Sequence, residues 1–182
     1  MKIEDSDRLR FRLMTKEDSE LLWELDQDPE VMRFINGGKI STRSDIQNTM
    51  IPRLQAFSNF EKGWGLWQVN LKENGKFLGW VLVRPMHFFS ELPEFENIEL
   101  GWRFKREFWG QGYATEAAQH IMNAVSKDPT IKYFSAIALP ENTASIKIMT
   151  KLGMSYIKTD HYHDSLGNHT VVFYRKESEG YL

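Results

Sequence analysis

One short segment constrains this chain more than any other. Trp109-Gly110-Gln111-Gly112-Tyr113-Ala114-Thr115 ends a strand-like run and opens a helix-like one. Glycines at alternate positions let backbone N–H groups approach an anion with no Cβ in the way. The helix that follows aims its orphaned first-turn N–H groups, and the positive end of its dipole, at the same point. A strand–turn–helix junction of this kind predicts a pyrophosphate-binding turn. Glycine spacing alone leaves the ligand open. A dinucleotide fold wants Gly-x-Gly-x-x-Gly early in the chain, whereas here the pair falls in the second half and the third position is Thr115. The Lys-Ser/Thr ending of a nucleoside-triphosphate loop is missing as well.

Composition narrows the setting. With 182 residues, of which 41% are hydrophobic and 13% aromatic, the chain can bury the core of one domain, read here as 1–182 without linker or repeat. The formal charge of -2, from 23 basic and 25 acidic side chains, gives no reason to expect general nucleic-acid binding. The chain has 0 cysteines, which excludes a disulfide scaffold, a thiolate metal site and a cysteine nucleophile. Its opening residues are polar and acidic, unlike a secretory signal, and no apolar run is long enough to span a bilayer. The expectation is a cytoplasmic protein, monomer or homodimer, with no membrane partner.

Periodicity supplies the elements. Arg8 to Leu13 alternates Arg8, Arg10 and Arg12 against Leu9, Phe11 and Leu13, a strand with one wet face. Thr15, with Asp18 in the capping-box position, opens a helix carrying Leu21, Leu22 and Leu25. Asp28-Pro29 restarts the chain into a second helix packed by Val31, Met32, Phe34 and Ile35 and stopped at Asn36-Gly37-Gly38. A third helix runs from Ser41 or Thr42 to about Phe60, with a kink or break expected at Pro52. Trp64 to Leu71 and Phe77 to Arg84 read as a hairpin, Pro85 to Pro93 as a loop or ragged edge, and Glu96 to Phe104 as the next strand. That strand puts Ile98, Leu100 and Trp102 on one face and Glu99, Gly101 and Arg103 on the other. Then come a helix (Tyr113 to Val125), a strand (Ile131 to Leu139), a helix (Thr143 to Leu152, stopped by Gly153) and two strands paired across Ser165-Leu166-Gly167-Asn168. This order fits a mixed-sheet α/β or α+β domain.

Three segments together carry a family resemblance: Glu99-Leu100-Gly101-Trp102, Phe108 through Ala117, and Asn142 through Met154. The opening Arg8-Leu9-Arg10-Phe11-Arg12 and the step Asp28-Pro29-Glu30-Val31-Met32 add to it. The sequence resembles the GCN5-related N-acetyltransferase (GNAT) family, in particular its branch similar to ribosomal-protein N-terminal and spermidine-type acetyltransferases. That resemblance implies a central, mostly antiparallel sheet of six to seven strands with a V-shaped splay and flanking helices. Acetyl-CoA is expected in the opening between the strands at Glu96 to Phe104 and Ile131 to Leu139. Its pyrophosphate is expected on the N–H groups of Gln111, Gly112, Tyr113, Ala114 and Thr115, with Asn142 near the pantetheine arm and Ser145 near the thiol. Trp109 stands where the wider family more often has Gln or Arg, which shifts the burden to the backbone.

Acetyl transfer from a thioester to an amine needs a neutral amine, a polarised carbonyl and a proton for the thiolate; direct attack demands no covalent nucleophile. A backbone N–H near Trp102 or Phe104 is expected to polarise the carbonyl. Glu99, lying in an apolar strand, is the leading base, against the alternative of a carboxylate merely satisfied by an arginine such as Arg103. Many relatives carry a tyrosine seven residues after the asparagine, but Met149 stands there, which leaves either Ser145 or water to protonate the thiolate. Tyr156 and Tyr162 have no positional support.

The acceptor, a small amine or a protein N-terminus, is expected to meet aromatic walls from Trp23, Phe34, Trp64, Trp67, His87, Phe88 and Phe89. Glu91, Glu94 and Glu96 could attract a cationic amine. His161, His163 and His169 near Asp164 could mimic a metal site but read better as solvent-facing or substrate-rim groups, with no metal required; His120 reads as polar-face. Two other functions fit less well: a degenerate acyl-CoA sensor or scaffold, and an antibiotic- or amino-acid-modifying acetyltransferase.

Overall fold

The computed structural model describes residues 1–164 and 167–178, so Ser165 and Leu166 of the expected hairpin turn lie outside the described residues. Seven strands, β1 (Leu9–Leu13), β2 (Gly65–Leu71), β3 (Phe77–Met86), β4 (Glu94–Phe104), β5 (Tyr133–Ala138), β6 (Ser155–Asp164) and β7 (Gly167–Glu177), form one sheet. Its order is β1-β2-β3-β4-β5-β7-β6. Every neighbouring pair is antiparallel except β4 and β5, which run parallel. The mixed, mostly antiparallel sheet expected from the sequence is the one observed.

Helices cover both faces because each presents one apolar stripe. On the first face, α5 (Tyr113–Val125) buries Ala117, Ala118, Ile121, Met122 and Val125. With α6 (Thr143–Lys151), it packs over Val81, Leu100, Phe104, Phe134 and Ala136 in the main core. On the second face, α1 (Ser19–Leu25), α2 (Pro29–Asn36), α3 (Arg43–Asp45) and α4 (Ile51–Phe57) gather Leu22, Leu25, Val31, Ile46, Leu54 and Phe57 over Leu66, Phe77 and Trp80. Each such large apolar side chain contributes roughly 1.5–3 kcal/mol on burial. This second layer covers only the β1–β4 end; a smaller cluster of Met86, Val171, Phe173, Ile137 and Tyr162 lies beyond it.

Local chemistry explains the boundaries. Thr15 and Asp18 form the expected capping box, the Thr15 amide donating to Asp18 Oδ2 at 2.8 Å. Asp28 caps α2 through the Glu30 amide at 3.0 Å, and Gly37, with φ of 78°, ends it. The break expected at Pro52 takes a specific form: a π turn, Ile46–Met50, joins α3 to α4. A proline lacks the N–H that would close the preceding turn, and widening that turn accommodates the loss. The helix ends at Phe57 rather than about Phe60. Ile35 is 44% exposed and lies outside the buried α2 stripe, which consists of Val31 and Met32. Pro85 belongs to β3 instead of a loop, paired with Ile98 where the register then shifts; a bulge tolerates the missing donor.

The feature that positions the site is the β4–β5 seam. It holds only Asn97↔Tyr133, Ile98↔Phe134 and Glu99↔Ser135. Beyond that, β4 stays zipped to β3 as far as Phe104, while β5 stays zipped to β7 from Tyr133 to Ala138. Each strand follows its antiparallel partner, whose ladder is the stronger, and the sheet's twist draws the two parallel strands apart. The result is the V-shaped splay.

Candidate active site

The turn at the mouth of the splay is built for an anion. Gly110 and Gly112 have φ of 73° and 81°, and Gly112 is the N-cap of α5 without any side-chain cap. The first bond of the helix is Glu116 N–H to Gly112 C=O at 3.0 Å. The amides of Gln111, Gly112, Tyr113, Ala114 and Thr115 therefore have no protein acceptor among the described residues. A Cβ on Gly110 would meet nothing within 4 Å and one on Gly112 only Arg8 Nη2 at 3.5 Å, so conformation and not space requires glycine here. Trp109 turns away: its indole N–H donates to the Phe104 carbonyl at 2.8 Å, leaving the backbone as the turn's donor set.

The segment leading into β1 braces this turn. Glu116 accepts from Ser6 Oγ at 2.7 Å, the Arg8 amide at 3.0 Å and Arg8 Nε at 2.6 Å, while Arg8 Nη1 donates to the Gln111 carbonyl at 3.1 Å. Burial opposes the charge on Glu116, but the Ser6 hydroxyl and then the Arg8 amide and guanidinium outweigh it, holding the carboxyl below the usual range.

Along the opening, strand alternation sorts the backbone groups. Lys105 N–H reaches Leu78 on the β3 side, and Glu96 C=O accepts from Lys132 on the β5 side. Leu100, Trp102 and Phe104 consequently point their N–H and C=O groups toward β5, where the ladder has ended. The Trp102 indole reaches across to α6, donating to Ser145 Oγ at 3.3 Å. Asn142 caps α6, its Oδ1 accepting from the Ser145 amide at 3.2 Å. Met149 is buried in the main core at 1% exposure.

Glu99 lies on the opposite face, 4% exposed, and Arg84 Nε donates to its Oε2 at 2.8 Å. An arginine does satisfy it, but that arginine is Arg84; Arg103 is committed to Asp26 at 2.6 Å. Glu99 Oε1 has no protein partner among the described residues. Arg84 sits 5.6 Å from the Phe57 and Phe89 ring centroids, and its Nη2 is 3.5 Å from Tyr162 Oη. His87, with φ of 57°, stacks on Tyr162 at 5.7 Å.

Other expected acceptor groups fall elsewhere. Trp67 is 2% exposed in the main core on the α5 face, its Nε1 donating to the Gly63 carbonyl. Trp64 stacks on Phe95, and Trp23 and Phe88 pack against the helical layer. Glu94 accepts from Asn97 at 2.6 Å and Glu96 pairs with Lys132 at 2.7 Å, both at the start of β4 and away from the open end of the splay. His161, His163 and His169 are exposed on the β6–β7 hairpin, and His120 stacks on Phe11 and meets the Glu4 carbonyl. Sequence reasoning missed Arg84, hidden in an apolar run, and Arg8, which alternation marked only as a wet-face residue.

The comparisons with known proteins agree with this geometry. The family model described as an acetyltransferase (GNAT) domain matches residues 8–155. The chain is 33% identical over 159 residues to the uncharacterized protein YkkB of Bacillus subtilis, covering 85% of this chain and 86% of that one. It is 27% identical to the FsC-acetyl coenzyme A-N(2)-transacetylase of Aspergillus fumigatus over 84% of this chain and 64% of that protein. An acetyltransferase (GNAT family) from Bacillus anthracis superposes with a TM-score of 0.72 at 26% identity, covering 98% and 99% of the two chains. RimL, a ribosomal L7/L12 alpha-N-protein acetyltransferase solved with coenzyme A, shares the fold with a TM-score of 0.75 at 13% identity, covering 99% of each chain. With an unpartnered amide turn beside a splayed strand pair, and a family match over most of its length, the chain belongs to the GNAT acetyltransferases and is an acetyl-CoA-dependent N-acetyltransferase.

Proposed function

We propose that acetyl-CoA lies in the β4–β5 splay with its pyrophosphate on the amides of Gln111, Gly112, Tyr113, Ala114 and Thr115, and that a primary amine attacks from the face carrying Glu99. The observation that carries this reading is the run of five amides with no protein acceptor at the mouth of the opening. Diphosphate oxygens are their natural partners. The pantetheine amides take the β5-facing backbone groups of Trp102 and Phe104 and the side chain of Asn142, and a β4 N–H polarises the thioester carbonyl. Glu99 draws a proton from the amine through water onto Oε1, its other oxygen being held by Arg84.

Ser145 donates a hydrogen bond to the departing thiolate, which takes its proton from water. Because an indole N–H can only donate, the Trp102–Ser145 contact makes the Ser145 oxygen an acceptor and leaves its own hydrogen free to point at sulfur. The acceptor is a small-molecule amine or a protein N-terminus, held between the helical layer and the β6–β7 hairpin against Phe57, Phe89 and Tyr162. The test is thiol release from acetyl-CoA across panels of polyamines, amino compounds and peptide N-termini, alongside calorimetric CoA binding. Release with at least one amine class is expected. CoA binding without thiol release from any amine would favour the sensor reading.

A further inference from the structure

We propose that Arg8 is a phosphate-recognition residue of the acetyl-CoA site, contributing from the segment just before the first strand the cation that the turn itself lacks. The inference rests on the reading that the diphosphate sits on the amides of residues 111–115. No Lys or Arg occurs in 107–116, and Trp109 spends its only donor on the Phe104 carbonyl. The nearby Arg106 and Lys76 pair with Asp28 and Glu107. Arg8 is different. Its Nε is fixed by Glu116 at 2.6 Å, its Nη1 by the Gln111 carbonyl at 3.1 Å, and its plane by the Tyr113 ring 4.3 Å from Cζ.

Nη2 is the nitrogen left over. Among the described residues it has no hydrogen-bond partner, and it stands 3.5 Å from where a Cβ on Gly112 would be, beside the amides expected to hold the anion. The guanidinium is thus locked on two sides with its remaining N–H pair at the mouth of the turn, and a pre-oriented fork of this kind suits a phosphate oxygen. Glu116 offsets part of its charge, so the contribution is one of placement as well as charge. Diphosphate and ribose 3′-phosphate offer the same chemistry, and proximity to Gly112 selects the diphosphate.

Binding of CoA and dephospho-CoA, together with turnover of acetyl-CoA and acetyl-pantetheine, tests this in wild type, Arg8→Gln and Glu116→Gln. Arg8→Gln should weaken CoA and dephospho-CoA alike by about tenfold and raise KM for acetyl-CoA. The kcat should change little, and turnover of acetyl-pantetheine, which carries no diphosphate, should be unchanged. Glu116→Gln, whose amide oxygen can still accept from Arg8 Nε while the negative charge beside the anion is removed, should weaken CoA binding clearly less than Arg8→Gln does. Equal losses with acetyl-pantetheine, or a Glu116→Gln variant that weakens CoA as much as Arg8→Gln does, would make Arg8 a structural brace and overturn the proposal. So would a loss confined to CoA and absent for dephospho-CoA, which would move the contact to the 3′-phosphate. Failure of the wild type to bind CoA would instead remove the underlying site, and no variant is needed to see it.

Discussion

The two faces of the sheet around the splay are made of different materials. On the α5 and α6 side, the opening offers main-chain groups: five open amides and a strand edge without a ladder. On the α1–α4 side it offers charged side chains already matched in the fold, Glu99 with Arg84 and Asp26 with Arg103, each side chain about nine-tenths buried or more. A main-chain site is fixed by backbone conformation and needs only glycine at the right positions. A side-chain site needs partners that are distant in sequence, and each buried charge must be compensated to be tolerated. Under the proposed function, the donor end is therefore generic and the acceptor end particular to this chain.

Three measurements test that contrast, beginning with the largest effect. Exchanging Glu99 for Gln should lower kcat by about 10²–10⁴-fold, the range for losing a general base, with CoA affinity nearly intact. Unchanged turnover would reduce Glu99 to a partner for Arg84 and leave that face without chemistry. Next, Gly112→Val should weaken CoA binding by roughly tenfold or more in calorimetry, since a β-branched residue at φ of 81° costs about 1–2 kcal/mol or more and shifts the amides. Normal affinity in that variant would show that the turn is not read through its backbone.

The smallest effect concerns acid. Asp18 and Glu116, one on each side of the sheet, both have carboxyls held below the ordinary range. For each, burial pulls upward and is outweighed, at Asp18 by Arg12 and the Thr15 cap and at Glu116 by Ser6 and Arg8. A depressed native pKa means that the unfolded chain binds the proton more readily. The stabilisation is therefore complete above the unfolded value near 4 and is lost as pH falls through the native one. Urea midpoints followed from pH 6 to pH 3 should drop in the wild type and drop less steeply in Asp18→Asn. Equal slopes would show that Asp18 is not a contributor.

What could be read from sequence follows the same division. The turn at Trp109 to Thr115, the helix from Tyr113 to Val125 and the two faces of β4 were legible because each is a local pattern of glycines or of period. Arg84 was not, since a lone arginine closing an apolar run announces neither its strand partner across the β3–β4 loop nor Tyr162 on a hairpin 78 residues away. Trp67 misled for a related reason: an indole suits a pocket wall or a core equally well, and only the register of β2 against β1 and β3 sends it inward. The π turn before Pro52 shows that proline announces a disturbance without saying what shape it takes.

The three-rung seam between β4 and β5 also has a mechanical meaning. Four strands on one side and three on the other behave as two panels sharing a short hinge line, and anything that bridges the gap becomes a strut. Acetyl-CoA held there as proposed would stiffen the protein in proportion to its occupancy, so the resistance of this fold to heat would rise and fall with the supply of its own reagent.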